Sequence, residues 1–367
     1  MIANSMCGMI LTGNGGPDKL VYRTDLDVPE PAVDEVLIEV TACGVNNTDI
    51  WTREGAYGAE DDEGAVTSFQ RGESTLTFPR IQGADIVGRI AAVGSGVSEA
   101  RIGERVMVDF SIYNGRTEDG ARADLNCANL DCIGNGRDGG FAEFTTVPAD
   151  QARLVDTDKT DIELATFCCA YMTGEHMLER IALSAGERFL VTGASGGVGS
   201  AVIQLCRARG AIPYALSSLD KERALLEIGA EAVIAKDAED MVDAVQSALT
   251  GHAVDVIVDV VAGSLFNDLL RILRPEGRYI VCGAIAGPIV EMDLRTVYLK
   301  HLRLEGSSQG TRGDFDRLVE YIVSGTLKAM VGGVYKLSDL HRAQADFMAK
   351  NFIGKLVIVP DAKWSDS

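Results

Sequence analysis

Val191-Thr192-Gly193-Ala194-Ser195-Gly196-Gly197-Val198-Gly199 is the stretch that decides the fold. It closes an apolar run, RFLVTG (188–193), and opens a segment, 198–209, that reads as a helix. Glycine permits the positive φ of a tight strand-to-helix turn and lets the backbone come close to a ligand. The helix N-terminus behind such a turn presents unpaired N–H groups and a partial positive charge, which together suit a pyrophosphate. A plain glycine-rich turn would carry the same letters. What distinguishes this one is the strand–turn–helix context and the alternation that follows.

That alternation runs outward in both directions. A helical segment over 161–183 precedes the turn. After it come a strand (212–216), a helix from near Asp220, VDVIVDVV (254–261), a helix near 265–273, RYIVCG (278–283) and LRLEGSS (302–308). Near-continuous apolar strands separated by helices predict an α/β, doubly wound parallel sheet. Residues 1–150 read differently, as short strands such as EVLIEV (35–40) and GERVMVD (103–109) punctuated by Gly and Pro. Two polar stretches, 55–77 and 114–140, are expected as long loops. Beyond 310 lie a helix (314–324), a short strand, a helix (337–350) and a last strand, KLVIVP (355–360).

Composition narrows the function classes. A chain of 367 residues predicts two domains. Asp and Glu total 54 against 34 Lys and Arg, a net charge of −20, so neither nucleic acid nor an anionic membrane is expected as a partner. The 8 cysteines are scattered. The first residues lack a basic segment followed by an apolar one, and no apolar run nears the roughly 18 residues of a membrane helix. The expectation is a cytoplasmic chain with reduced thiols. Forty glycines accord with nucleotide loops, and there are only 4 histidines.

The second strand of the α/β region selects the dinucleotide. NAD readers end this strand with Asp or Glu, which accepts from the ribose hydroxyls. Here Leu216 holds that place, followed by Ser217, Ser218 and Lys221. Hydroxyls and an ammonium suit a 2′-phosphate, so NADP(H) is the expected cofactor. Gly193, Ser195, Gly196, Gly197 and Val198 would hold its pyrophosphate.

The chain resembles the medium-chain dehydrogenase/reductase superfamily through CGVNNTD (43–49), PRIQGADIVGRI (79–90), GERV (103–106), DGGFAEF (138–144), TGASGGVG (192–199), VDVIVDVVAG (254–263), LRPEGRYIVCG (273–283) and GKLVIV (354–359). The resemblance implies a GroES-like, β-rich substrate domain over 1–155, completed by 306–367, and a Rossmann cofactor domain over 156–305. It also implies a homodimer paired through cofactor-domain sheet edges, near 279–283, and a small-molecule substrate.

Zinc members of the superfamily place ligands where this chain has Asn46 and Ala84, and a third at Cys169 before Thr173-Gly174. Alanine has no donor, and a neutral asparagine is a poor zinc ligand. No catalytic metal is therefore expected, and Cys169, like Cys168, is expected as a buried packing residue. Of the four cysteines of a structural zinc lobe only Cys127 and Cys132 remain. The pattern is similar to the zinc-independent quinone oxidoreductase and enoyl reductase branch, with Trp51 where a tyrosine is usual and Lys236 where an adenine-stacking tyrosine is usual.

Without a metal, an alkoxide developing on an isolated carbonyl lacks its Lewis acid. A quinone or enone spreads the charge, and hydrogen-bond donors suffice. The expected activity is NADPH-dependent hydride transfer to a quinone, enone or other activated double bond. A zinc-type alcohol dehydrogenase with a variant ligand set is one alternative, and a non-catalytic NADPH sensor is another. Asn46 either orients the nicotinamide or substrate oxygen, or makes local turn bonds. Trp51 is either a flat pocket wall or a core residue. Tyr57 either donates a proton or stacks, or is merely exposed. Thr173 either meets the nicotinamide ribose or caps a helix. Gly283 and Ala284 would offer backbone groups to the carboxamide. Asp85 is expected to pair with a neighbouring donor, and Arg53 to be a solvated surface residue.

Overall fold

The computed structural model describes residues 2–57, 76–114 and 129–364. The chain divides into two compact units, one formed by 1–169, 311–319 and 331–367, the other by 170–310 and 320–330.

The second unit is built on six parallel strands. In chain order they are Arg188–Val191, Ile212–Ser217, Ala232–Ala235, Val254–Asp259, Leu273–Val281 and Arg303–Gly306. Numbered one to six, they lie side by side as 3-2-1-4-5-6, with every neighbouring pair parallel. The order reverses between the first and fourth strands, and ligands of such sheets bind beyond the strand ends at that point. Helices such as Gly197–Ala208 and Phe266–Ile272 connect the strands. One core cluster gathers Leu190, Leu216, Ile257, Leu269, Leu270 and Tyr279, all nearly inaccessible. The α/β, doubly wound sheet read from the sequence is present.

The first unit is β-rich. A seven-stranded sheet runs through Ala152–Leu154, Arg105–Val108, Asp85–Val93, Glu35–Gly44, Lys355–Val359 and Val331–Lys336, with Phe144–Pro148 also paired to Glu35–Gly44. The strand Lys355–Val359 enters this sheet from the far end of the sequence, placing Ile358 opposite Cys43 and Val357 opposite Gly44. A three-stranded sheet and a two-stranded sheet complete the unit.

Several sequence expectations need correction. The unit boundary falls at 169/170 rather than 155/156, because the short helix Asp161–Leu164 packs on Glu35–Gly44 and Asp85–Val93. The returning chain rejoins the first unit at 311, and 320–330 stays with the second. The helix expected over 161–183 is two helices, Asp161–Leu164 and Cys168–Arg180. Asn129–Cys132, inside an expected loop, pairs antiparallel with Ser111–Asn114; four residues in a polar context give no periodicity to read. Residues 58–75 and 115–128 of those loops, Cys127 included, lie outside the described residues. The strand bearing 279–281 is one in from the sheet edge, which Arg303–Gly306 forms. Among the described residues no helix is long and apolar enough to cross a membrane.

Candidate functional site

In the second unit the glycine-rich turn links strand Arg188–Val191 to helix Gly197–Ala208. Gly193 has φ +55°, and a Cβ at Gly199 would lie 2.3 Å from the Gly193 carbonyl oxygen. Both positions therefore need glycine if the turn is to fold back on the helix start. The turn is braced from below. Buried Asp259 accepts from Thr192 Oγ1 (2.5 Å), from the Val261 and Ala262 N–H groups (2.8 and 3.0 Å) and from the Tyr279 hydroxyl (2.6 Å). Those bonds tie the ends of the first, fourth and fifth strands together on the side where the turn sits.

The sequence-predicted phosphate-side residues come together. Lys221 Nζ lies 3.5 Å from Ser195 Oγ. Ser217 ends its strand buried, and its carbonyl accepts the Lys236 N–H at 3.0 Å. Burial lowers the Lys221 pKa, Asp220 opposes that, and the Lys236 ammonium lowers it further. Two cations thus share one neighbourhood beside the turn. Lys236 was not among the expected cofactor residues; a lone lysine after a strand reads as solvated. Thr173 lies within helix Cys168–Arg180, five residues from its first residue, so the capping alternative fails. Gly283 and Ala284 follow directly after Leu273–Val281 and Cys282.

In the first unit a buried polar cluster surrounds Asn46. Lys355 Nζ sits 2.6 Å from Asp85 Oδ2 and donates to Asn46 Oδ1 at 2.5 Å. The lysine is 3% exposed and Asp85 fully buried. Asp85 Oδ1 accepts the Cys169 N–H at 2.8 Å. Asp49, also buried, accepts the Asn46 N–H at 2.7 Å, and its carbonyl accepts from Gln82 Nε2 at 2.9 Å. An ammonium has donors only, so the Asn46 oxygen must face Lys355 and the NH₂ must face away. That Nδ2 is buried and has no hydrogen-bond partner. Asn46 is thus held twice, by local helix-start bonds with Asp49 and by the distant Lys355.

The electrostatics follow from burial. Burial pulls the Lys355 pKa down, but the adjacent Asp85 carboxylate outweighs it and the ammonium ends above its ordinary value. Asp49 is pushed up to about 7 by burial, against the opposing N–H bond from Asn46 and the field of Lys355. The Cys43 and Cys168 thiols rise well above their usual range, again chiefly through burial and then through Asp85. Tyr57 is raised by burial, by Cys169 and by Asp49, so its phenol keeps its proton. Its ring meets Trp51 edge-on, 5.5 Å between centroids. Asn46, Trp51 and Tyr57 are therefore gathered by one helix, Asn47–Glu54, and its flanks. Cys168 is buried as expected, whereas Cys169 is only half-buried. Arg53 is not solvated: it is 3% exposed and donates to Gln344 Oε1 and the Gly15 carbonyl.

Residues 32–157 match the alcohol dehydrogenase GroES-like domain, and residues 197–324 match the zinc-binding dehydrogenase family. A candidate alcohol dehydrogenase from Sinorhizobium meliloti 1021 is 62% identical, with 98% of each chain covered and a TM-score of 0.93. The chain belongs to the medium-chain dehydrogenase/reductase superfamily. Within it the chain is similar to quinone oxidoreductases: rat (Rattus norvegicus) quinone oxidoreductase is 28% identical over 355 residues, 94% of this chain and 95% of the relative. A cobalt- and zinc-bound thermostable alcohol dehydrogenase from Pyrobaculum aerophilum is 29% identical, with 97% of this chain and 100% of that one covered and a TM-score of 0.81. The family and its nucleotide-binding unit identify an oxidoreductase using a nicotinamide cofactor.

Zinc, which the family description names, does not fit the residues present. Ala84 has no donor and Asn46 Oδ1 is taken by an ammonium, so of the three ligand positions only Cys169 carries a zinc ligand's chemistry. Among the described residues no group of three or more His, Cys, Asp or Glu is arranged to hold a metal.

Proposed function

We propose that this chain is an NADPH-dependent reductase of quinones, enones or related activated double bonds, working without a catalytic metal. The observation that carries it is the Asn46 carboxamide, its oxygen bound by the Lys355 ammonium and its NH₂ unanswered. A buried donor without a protein partner is one that a water or a ligand atom completes. The nicotinamide supplies the hydride. Asn46 donates to the substrate oxygen, on which negative charge grows as hydride arrives at the conjugated carbon. Tyr57, neutral at all physiological pH, keeps a proton available, and Trp51 offers a flat apolar face. Gly193, Ser195, Gly196, Gly197 and Val198 cradle the pyrophosphate, while Ser217, Ser218, Lys221 and Lys236 take the 2′-phosphate. Thr173, Gly283 and Ala284 serve the nicotinamide end.

A cytoplasmic setting belongs to the same reading, supported by cysteines among which no disulfide is described. So does a homodimer, supported by the exposed apolar side chains Ile289, Leu294, Tyr298 and Leu299 in the unit whose sheet ends at Arg303–Gly306. The test is NADPH oxidation against a panel of quinones, enones and simple carbonyls, with metal analysis of the same sample. Turnover of activated double bonds by metal-free protein is expected. Turnover confined to simple alcohols and carbonyls, dependent on bound zinc, would refute it.

A further inference from the structure

We infer that Lys355 is a positioning residue for the reaction, a fixed cation standing behind the Asn46 donor at a place where zinc-bearing relatives use a metal. This rests on the reading of Asn46 just given and adds a residue to it.

Three observations converge. First, Lys355 is a side chain almost without exposure whose ammonium reaches into the Asn46 cluster from a strand 309 residues away in sequence. Burying a charge is costly unless it is paired, and Asp85 is the pairing partner at 2.6 Å. Second, Asp85 alone would satisfy the pairing, yet the same ammonium also holds the Asn46 oxygen. This fixes the orientation of a carboxamide that could otherwise flip. Third, the opposite end of that carboxamide is the donor without a partner. A cation on the oxygen withdraws electron density from the amide and strengthens its NH₂ as a donor, since linked hydrogen bonds polarise one another in a low-dielectric site.

The consequence concerns substrate range. A polarised donor matters most when the substrate spreads charge poorly and little when the substrate is itself strongly electron-accepting. A purely structural lysine would affect all substrates alike.

The test is the double variant Lys355→Ala with Asp85→Asn in the full-length protein. It removes both charges together and avoids an orphaned buried carboxylate. The amide oxygen that replaces the carboxylate can still accept the Cys169 N–H. Circular dichroism and thermal unfolding establish that it folds. Removing one transition-state donor elsewhere costs roughly 100- to 1,000-fold in kcat, and weakening one is expected to cost on the order of 30-fold. The loss should be several-fold larger for weakly activated enones than for electron-poor quinones, with the Kd for NADPH unchanged within about twofold. In the single variant Lys355→Ala, whose Asp85 carboxylate pairs the incoming cation, added ethylammonium should restore activity, whereas ethanol should not. An equal loss across the panel with no ammonium rescue overturns the assignment. A second readout does not depend on turnover: the ¹⁵N shift of the Asn46 side-chain amide, identified by its loss in Asn46→Asp. It should move in both the double variant and Lys355→Ala and return with ethylammonium in the latter, and an unmoved shift refutes the placement. Wild-type protein inert towards every activated double bond defeats the functional reading, and the amide shift then decides the role of Lys355 on its own.

Discussion

Lys221→Ala should weaken NADPH far more than NADH. The lysine is half-buried, its Nζ is 3.5 Å from Ser195 Oγ on the glycine turn, and it already feels the Lys236 cation. Two ammonium groups so placed repel each other until an anion arrives, so a phosphate is drawn to both. Opposite unit charges about 4 Å apart are worth roughly 1 kcal/mol in water and about 4 kcal/mol at an effective dielectric of 20. Partial exposure argues for the lower half of that range, and a charge-assisted bond contributes about 1.5–3 kcal/mol net. Taking about 2 kcal/mol, the NADPH Kd rises roughly 30-fold. NADH has no 2′-phosphate, and its Kd should stay within about twofold. Fluorescence titration of both nucleotides at fixed ionic strength measures this. Raising the salt should shrink the gap in wild type and leave the variant nearly insensitive. Equal losses for the two nucleotides would show that Lys221 shapes the turn without touching a phosphate, and the NADP(H) assignment would fall with it.

Gly199→Ala places a Cβ 2.3 Å from the Gly193 oxygen and 2.7 Å from Ala194 Cα. The turn must shift, at about 1–3 kcal/mol of strain, and both nucleotides should lose affinity by on the order of tenfold; unchanged titrations would separate the turn from the cofactor. Asp49 has its folded-state pKa raised by burial from 3.8 to about 7, so between about pH 4 and 7 the folded chain binds a proton that the unfolded chain has released. Its contribution to stability therefore falls as pH rises through that window, by as much as about 4 kcal/mol at 1.36 kcal/mol per unit. Asp49→Asn should remove that slope, seen as a urea midpoint that gains on wild type from pH 4 to 7, and parallel midpoints would contradict the burial argument. Leu294→Glu with Leu299→Glu should convert a dimer to a monomer in sedimentation velocity, and an unchanged sedimentation coefficient would remove the exposed apolar face from the interface.

The α/β unit was legible because its signals are local. An apolar strand, a glycine turn and a helix start lie within a dozen residues, and the turn that they predict is the turn that forms. Asn46 was legible for a different reason: a residue type out of place against a metal-ligand pattern. Its partner was not. In KLVIV, Lys355 reads as the charged lip of a terminal strand, and only the pairing of that strand with Glu35–Gly44 buries it. Arg53 misled in the same way, since its burial is decided by Gly15 and Gln344, far away in sequence. Long-range pairing is what sequence periodicity does not encode. The strand Asn129–Cys132 escaped because four residues in a polar stretch are too few to show an alternating pattern.

The order in which the chain is made gives the late arrival of Lys355 a further meaning. A ribosome delivers Asn46 and Asp85 first, and Lys355 follows Asp85 by 270 residues. Until then the strand Asp85–Val93 cannot bury its first residue without leaving a carboxylate uncompensated, which is costly in a dry interior. The β-rich unit therefore stays open around that carboxylate until Lys355 arrives, by which point both segments of the α/β unit, 170–310 and 320–330, have been delivered and can form its sheet. A chain cut short before Lys355 would carry an intact nucleotide fold beside an unclosed sheet, and the missing ammonium is what would mark it as unfinished.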